Sequence, residues 1–118
     1  MRVSDNKLNP SLKNQIIKTF SQAVADLKNL DEVELFLKDF FNETELETYT
    51  KRLAIIYWLK KNRGYTNIKN NLKVSSATIA SIEKTLDSPG VKLIVKKLEA
   101  EEWANVWTEK IKKFTSRR

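Results

Sequence analysis

Apolar residues recur at three- and four-residue intervals along most of the chain, and no segment alternates over more than a few positions. That periodicity predicts helices and no strands. Leu12, Ile16, Phe20, Val24 and Leu27 mark one face of a first helix running to about Lys28, with Asn9 as its cap and Pro10 at its first helical position. A short, very apolar second helix carries Val33, Phe36, Leu37, Phe40 and Phe41, with Asp31 and Glu34 as its capping pair. Asn42 and Glu45 repeat that signature ahead of a third helix through Leu46, Tyr49, Leu53, Ile56 and Leu59. Its centre, residues 53–59, is apolar nearly all round and should be buried on more than one side. Arg63-Gly64 reads as its stop, with Gly64 as a left-handed cap.

Two short helices fit residues 67–72 and 76–86, the second capped by Ser75. Ser88-Pro89 opens a long final helix to about Phe114, whose apolar spacing changes midway. Val91, Ile94, Val95 and Leu98 form one stripe; Trp103, Val106, Trp107, Ile111 and Phe114 form another, so the two halves should face different partners. Glycine stands only at 64 and 90 and proline only at 10 and 89, and no repeat, low-complexity tract or linker is visible. The expectation is a single all-α domain over residues 1–118 with about six helices. Residues 9–41 would form N-terminal dimerisation helices, 42–88 the central helix and a helix-turn-helix, and 89–118 the C-terminal helix.

Charge changes the picture. The 118 residues hold 22 Lys and Arg against 15 Asp and Glu, a net +7. Residues 1–43 carry six basic and seven acidic groups, residues 44–86 eight and three, and residues 87–118 eight and five. The positive field therefore belongs to the middle and the tail, which points to a polyanionic partner. The chain has no cysteine and no histidine. That removes disulfides, thiol nucleophiles, Cys/His zinc sites and imidazole catalysis, and neither a phosphate loop nor a nucleophile motif appears. An enzyme is not expected, and no cofactor or metal is implied. No apolar run reaches the length of a membrane span and no signal peptide is evident, so a cytoplasmic protein is expected.

Residues 65–84 have the spacing of a helix-turn-helix, in which one helix packs on the next across a tight turn. Counting Tyr65 as the first position, the buried positions are Ile68, Leu72, Val74, Ile79 and Ile82, and all five are apolar. Two residues depart from the pattern. Lys69 stands where a small residue favours close packing, and Lys73 stands at the left-handed turn position where glycine is preferred. The other reading of this segment is an αα-hairpin with no DNA role.

Residues 36–90 resemble the tryptophan repressor family, including its repressor-like branch. The resemblance rests on Asn42-Glu43-Thr44-Glu45, on Lys51-Arg52-Leu53 leading an apolar helix, on Asn67-Ile68-Lys69-Asn70-Asn71-Leu72, and on Ser76-Ala77-Thr78-Ile79. It implies an all-α intertwined homodimer that binds operator DNA as a repressor without enzymatic activity. In that family an arginine on the central helix holds the corepressor carboxylate, and Arg52 matches it as a ligand-binding candidate. A second arginine stacks on the indole, and here Ser81 stands in its place. The glycine that leaves room for the ring is Ile82, while Thr85 keeps a small hydroxyl. The resemblance therefore argues against tryptophan as corepressor. Arg52 then also reads as a positive residue near a helix terminus or paired to an acid.

The candidate DNA-contacting residues are Thr66, Lys69, Lys73, Ser75, Ser76, Ala77, Thr78, Ala80, Ser81 and Lys84. Thr66, Lys69, Lys73 and Lys84 suit phosphates, which set affinity and register. The rest of the second helix offers small hydroxyls and methyls and no Arg, Asn or Gln for bidentate base contacts. Readout would then rest on water, thymine methyls and DNA shape. The rival to double-stranded DNA binding is a helical protein-interaction module whose positive face is merely solvated. The aromatic stripe of residues 103–114 reads as core or dimer packing, or with the basic tail as an added DNA-backbone or membrane-surface arm.

Overall fold

The computed structural model describes the backbone of residues 6–116 and the side chains of residues 6–102. It contains six helices: α1 (Pro10–Ala25), α2 (Leu30–Phe40), α3 (Glu43–Lys60), α4 (Tyr65–Leu72), α5 (Ser76–Glu83) and α6 (Pro89–Ser116). No strand occurs among the described residues. The chain divides into two compact units, Met1–Leu46 and Glu47–Arg118. The second aromatic stripe of α6, Trp103 to Phe114, lies outside the residues whose side chains are described.

In the first unit, the Asn9 Oδ1 accepts from the Ser11 and Leu12 amides at 2.9 and 3.3 Å, satisfying two amides that the helix cannot pair internally. α1 ends at Ala25 rather than near Lys28, because the next cap begins early. Asn29, not Asp31, caps α2: its side chain accepts from the Glu32 amide at 3.0 Å, while Glu32 reaches back to the Lys28 amide at 3.1 Å. With Lys28 and Asn29 committed to the cap, Leu30 and Asp31 join the helix. Glu34 pairs instead with Lys38 at 4.0 Å on the surface. Phe20, Phe36 and Phe40 make a ring cluster with centroids 5.0–5.9 Å apart. Yet no residue of α1 or α2 is buried, and Leu35 and Phe40 remain 65% and 59% exposed. The apolar stripe of α1 is exposed from Leu12 to Val24, while Val33, Phe36 and Leu37 of α2 are half-buried.

The Asn42–Glu45 capping box forms in full, with mutual amide bonds of 2.8 and 3.0 Å opening α3. Within the second unit, Ile55, Ile56, Ile68, Ile79, Ile82 and Val95 form one buried cluster, with Trp58, Leu59, Tyr65, Leu72, Val74, Leu86 and Val91 packed against it. Residues 53–59 of α3 are all buried or half-buried, as their all-round apolar pattern indicates. Ile94, expected in the α6 stripe, is 41% exposed instead; Val95 holds the buried position, with Val91 and Leu98 half-buried.

The α3 terminus also differs from expectation. The left-handed residue is Asn62, at φ 61°, and Gly64 is extended at φ −73° as the cap residue of α4. The Arg63 amide donates to the Trp58 carbonyl and the Asn62 amide to the Leu59 carbonyl, both at 3.0 Å, which is a Schellman closure. Asparagine tolerates the left-handed region, so the chain reverses two residues early and α4 starts at Tyr65 rather than Asn67. The Arg63 guanidinium lies 4.2 Å from the Trp58 ring centre and supports the same turn.

One polar knot ties α6 to α3. The Glu102 carboxylate accepts from the Tyr57 hydroxyl and from Lys61 Nζ, the latter at 2.7 Å. Hydrogen bonding to Lys61 above all, and to Tyr57, holds the Glu102 carboxyl below the usual carboxylate range. The same carboxylate raises the Tyr57 and Lys61 values. The lowered Glu102 contributes stability above about pH 4.5 that is lost as acidification passes through its folded value. The raised Lys61 and Tyr57 contribute stability below about pH 10 that is lost as alkalinity passes through theirs.

Two outcomes follow from this packing. Ile79→Ala, at a residue with no exposure, should cost about 2–5 kcal/mol in urea unfolding. A loss under about 1 kcal/mol would mean the site collapses without a cavity. Glu102→Gln should lower the thermal midpoint at neutral pH and flatten its fall on acidification; an unchanged acid limb would show that the knot carries no stability.

Candidate nucleic-acid interface

α4 and α5 face each other through Ile68 and Ile79, both at 0% exposure, with Ile82 at 9% and Leu72 and Val74 half-buried. All five apolar positions expected of a helix-turn-helix therefore lie on its inner side. The turn is closed by Lys73 in left-handed conformation, φ 57° and ψ 54°. Its amide donates to the Lys69 carbonyl at 3.0 Å, and the Val74 amide reaches the same oxygen at 3.4 Å. α5 then opens on Ser75, whose Oγ accepts from the Thr78 amide at 3.1 Å, with Thr78 Oγ1 2.9 Å away. A second tie joins the far ends of the pair, where the Tyr65 hydroxyl donates to Glu83 Oε1 at 2.6 Å. That bond is the main cause of a raised Tyr65 value.

Both departures from the pattern are accommodated. Lys69 is exposed, so its charge stays in water at the position where a small residue was expected. Lys73 adopts the left-handed geometry without glycine.

Thr66, Lys69, Lys73, Ser75, Ser76, Ala77, Thr78, Ser81 and Lys84 are all exposed. Ala80 is half-buried, a correction to its place among the candidate DNA-contacting residues: it sits one step from Ile79, at the edge of the packed face. Ala77, Ser81 and Lys84 follow at four- and three-residue spacing on the side of α5 away from Ile79 and Ile82. The result is a short helix, fixed at its N-terminus by Ser75, that presents small side chains and one lysine.

Arg52 lies in a cleft of about 250 Å³ between α3 and this pair. Thr48, Lys51, Arg52 and Ile55 line it from α3; Val74, Thr78 and Ile82 line it from the turn and α5. Ser81 is exposed and does not line it. Thr48 and Lys51 were not among the sequence candidates. Their signal was present in the chain: 48, 51, 52 and 55 share one helical face. Lys51 bonds Glu47 at 3.2 Å on one side. The buried Ile82 occupies part of the cleft wall, and the Thr85 hydroxyl donates to the Ile82 carbonyl at 2.7 Å.

The family model described as Trp repressor protein matches residues 15–99. The chain belongs to this family. Its members are DNA-binding helix-turn-helix regulators, and the α4–α5 pair is the helix-turn-helix. No curated protein and no solved structure matches the chain. The match reaches from the middle of α1 to Glu99, so residues 100–118 lie beyond it. Among the described residues there is no cluster of potential metal ligands, and no helix is long and apolar enough to cross a membrane.

The left-handed Lys73 gives a direct test of the turn. Lys73→Gly should raise stability by about 1 kcal/mol, the penalty removed from a non-glycine residue in this conformation. Destabilisation in a denaturant titration would show that the lysine adopts another conformation in solution.

Proposed function

We propose that the protein is a sequence-specific repressor that binds double-stranded DNA as a homodimer through α4 and α5, and that it does so without tryptophan. The observation that carries the reading is the α5 surface of Ala77, Ser81 and Lys84, exposed and held rigidly by Ile68, Ile79 and the Lys73 turn. Lys69, Lys73, Lys84 and Thr66 contact phosphates; Ser76, Ala77, Thr78 and Ser81 meet the major groove edge, with Ser75 at the start of the helix. Base discrimination comes from methyl contacts, bridging water and DNA shape, because no bidentate side chain is available.

The homodimer is supported by the uncovered apolar face of α1 and α2, where Leu30, Leu35 and Phe40 are more than half exposed. A two-fold dimer sets its recognition helices roughly 34–36 Å apart, one turn of B-DNA. Independence from tryptophan is supported by Ile82 in the wall of the Arg52 cleft and by the absence of Ser81 from it. Arg52 serves the cleft as a cation without an aromatic partner for an indole. The same reading gives the chain no catalytic role, no cofactor, and a cytoplasmic site of action at the chromosome.

Binding to a mixed-sequence duplex followed against salt tests this. Lys69→Ala and Lys84→Ala should each weaken binding and reduce the salt slope by about 0.9, the value for one lost phosphate contact. Saturating tryptophan should leave the affinity within about twofold, under 0.5 kcal/mol. Unchanged affinity and slope in both lysine variants would contradict the assignment and leave the protein-interaction module as the better reading.

A further inference from the structure

The following inference rests on the proposed DNA binding and adds a contact to it. Residues 48–82, from within α3 to within α5, hold seven basic residues and no acid. Three of these cations, Lys60, Lys61 and Arg63, stand at the corner where α3 gives way to α4. They are not equivalent. Lys61 Nζ is committed to the Glu102 carboxylate at 2.7 Å. Lys60 is exposed at the last residue of α3, a point charge on a flexible stem. Arg63 is exposed as well, and among the described residues no acid pairs with it.

Arg63 is also braced. Its guanidinium lies 4.2 Å from the Trp58 ring centre, and Nη1 donates to Asn67 Oδ1 at 3.4 Å. Trp58 is half-buried and packs against the isoleucine cluster, so the brace is anchored in the core of the second unit. The Asn67 carbonyl in turn accepts from Asn71 Nδ2 at 2.8 Å. A guanidinium stacked on one face and bonded at one corner keeps its other N–H donors for an outside acceptor. Their planar fork matches two oxygens of a phosphate, and a side chain already held in place has less freedom to lose on binding.

The neighbouring glycine fits this use. Gly64 is extended at φ −73°, a conformation open to any residue, and a Cβ added there would meet nothing within 4 Å. Neither the turn nor packing inside the chain calls for glycine. Its missing side chain leaves open the approach to the backbone between Arg63 and Thr66, and Thr66 is exposed on the first turn of α4. We infer that Arg63, braced by Trp58 and Asn67, binds a phosphodiester of the DNA backbone at the α3–α4 corner, beside the contacts made by α4 and α5. Trp58 and Asn67 act as positioning residues. The contact carries no base information; it fixes the register of the helix-turn-helix along the duplex.

Full-length variants titrated with a mixed-sequence duplex over a range of salt test the contact. Arg63→Gln should weaken binding about tenfold and lower the salt slope by about 0.9 for each copy bound, the value for one lost phosphate contact. Lys60→Gln removes the same charge from the same corner and should leave the affinity within about twofold. Arg63→Lys should restore the slope but only part of the affinity, because lysine keeps the charge and loses the fork. An unchanged slope in Arg63→Gln would overturn the inference; joined to a lowered thermal midpoint, it would leave Arg63 as a prop for the turn alone. Equal losses in Arg63→Gln and Lys60→Gln would also overturn it, reducing the effect to the general positive field. Full recovery of affinity in Arg63→Lys would overturn the bracing role of Trp58, since charge alone would then suffice. A wild-type protein that binds no duplex, or Lys69→Ala and Lys84→Ala variants with wild-type affinity and slope, would instead defeat the proposed helix-turn-helix contact itself.

Discussion

Three isoleucines with almost no exposure, Ile55, Ile68 and Ile79, stand at the centre of the second unit's core. They come from α3, α4 and α5, so one apolar contact fixes the central helix and both members of the helix-turn-helix at once. No polar or charged residue is buried beside them among the described residues. A core of that kind is held by shape and area alone, and its orientation depends on short local devices at the ends of the helices. Asn62, Lys73 and Ser75 supply them: two left-handed reversals and a side-chain cap set where α4 begins, where it ends and how α5 leaves. The exposed face of α5 is a consequence of that packing.

The first unit lacks such a core. Its helices are well capped, and its phenylalanines touch one another, yet no residue of α1 or α2 is fully buried. Capping and ring contacts each contribute about 1 kcal/mol, too little to replace buried area. The contrast separates the two units: residues from Glu47 onward carry the packed helix-turn-helix, and residues to Leu46 carry exposed apolar surface.

Much of the fold was legible in the sequence, because helical periodicity and cap chemistry are local. The Asn9-Pro10 start, the Asn42–Glu45 box, the five inner positions of the α4–α5 pair and the Ser75 cap appear where the residues indicate. The errors fell where two residues competed for one job. Asn29 outcompeted Asp31 for the α2 cap, since Asn29 already faced the Glu32 amide. Asn62 took the left-handed turn that Gly64 was expected to make. Ala80 and Ile94 were misplaced because periodicity locates a face but not its edge. The Arg52 cleft was half visible: its α3 face could be read from spacing, but the approach of Val74 and Ile82 is a product of tertiary packing. The tie of Glu102 to Tyr57 and Lys61 joins residues over forty positions apart and left no local trace.

The central claim is that α5 reads a two-fold-symmetric duplex site. Selection of bound duplexes from a random pool, without added tryptophan, tests it most directly. The account predicts enrichment of an inverted repeat whose half-sites are centred about one helical turn apart. Failure to enrich any sequence, with binding that a generic polyanion displaces completely, would contradict it.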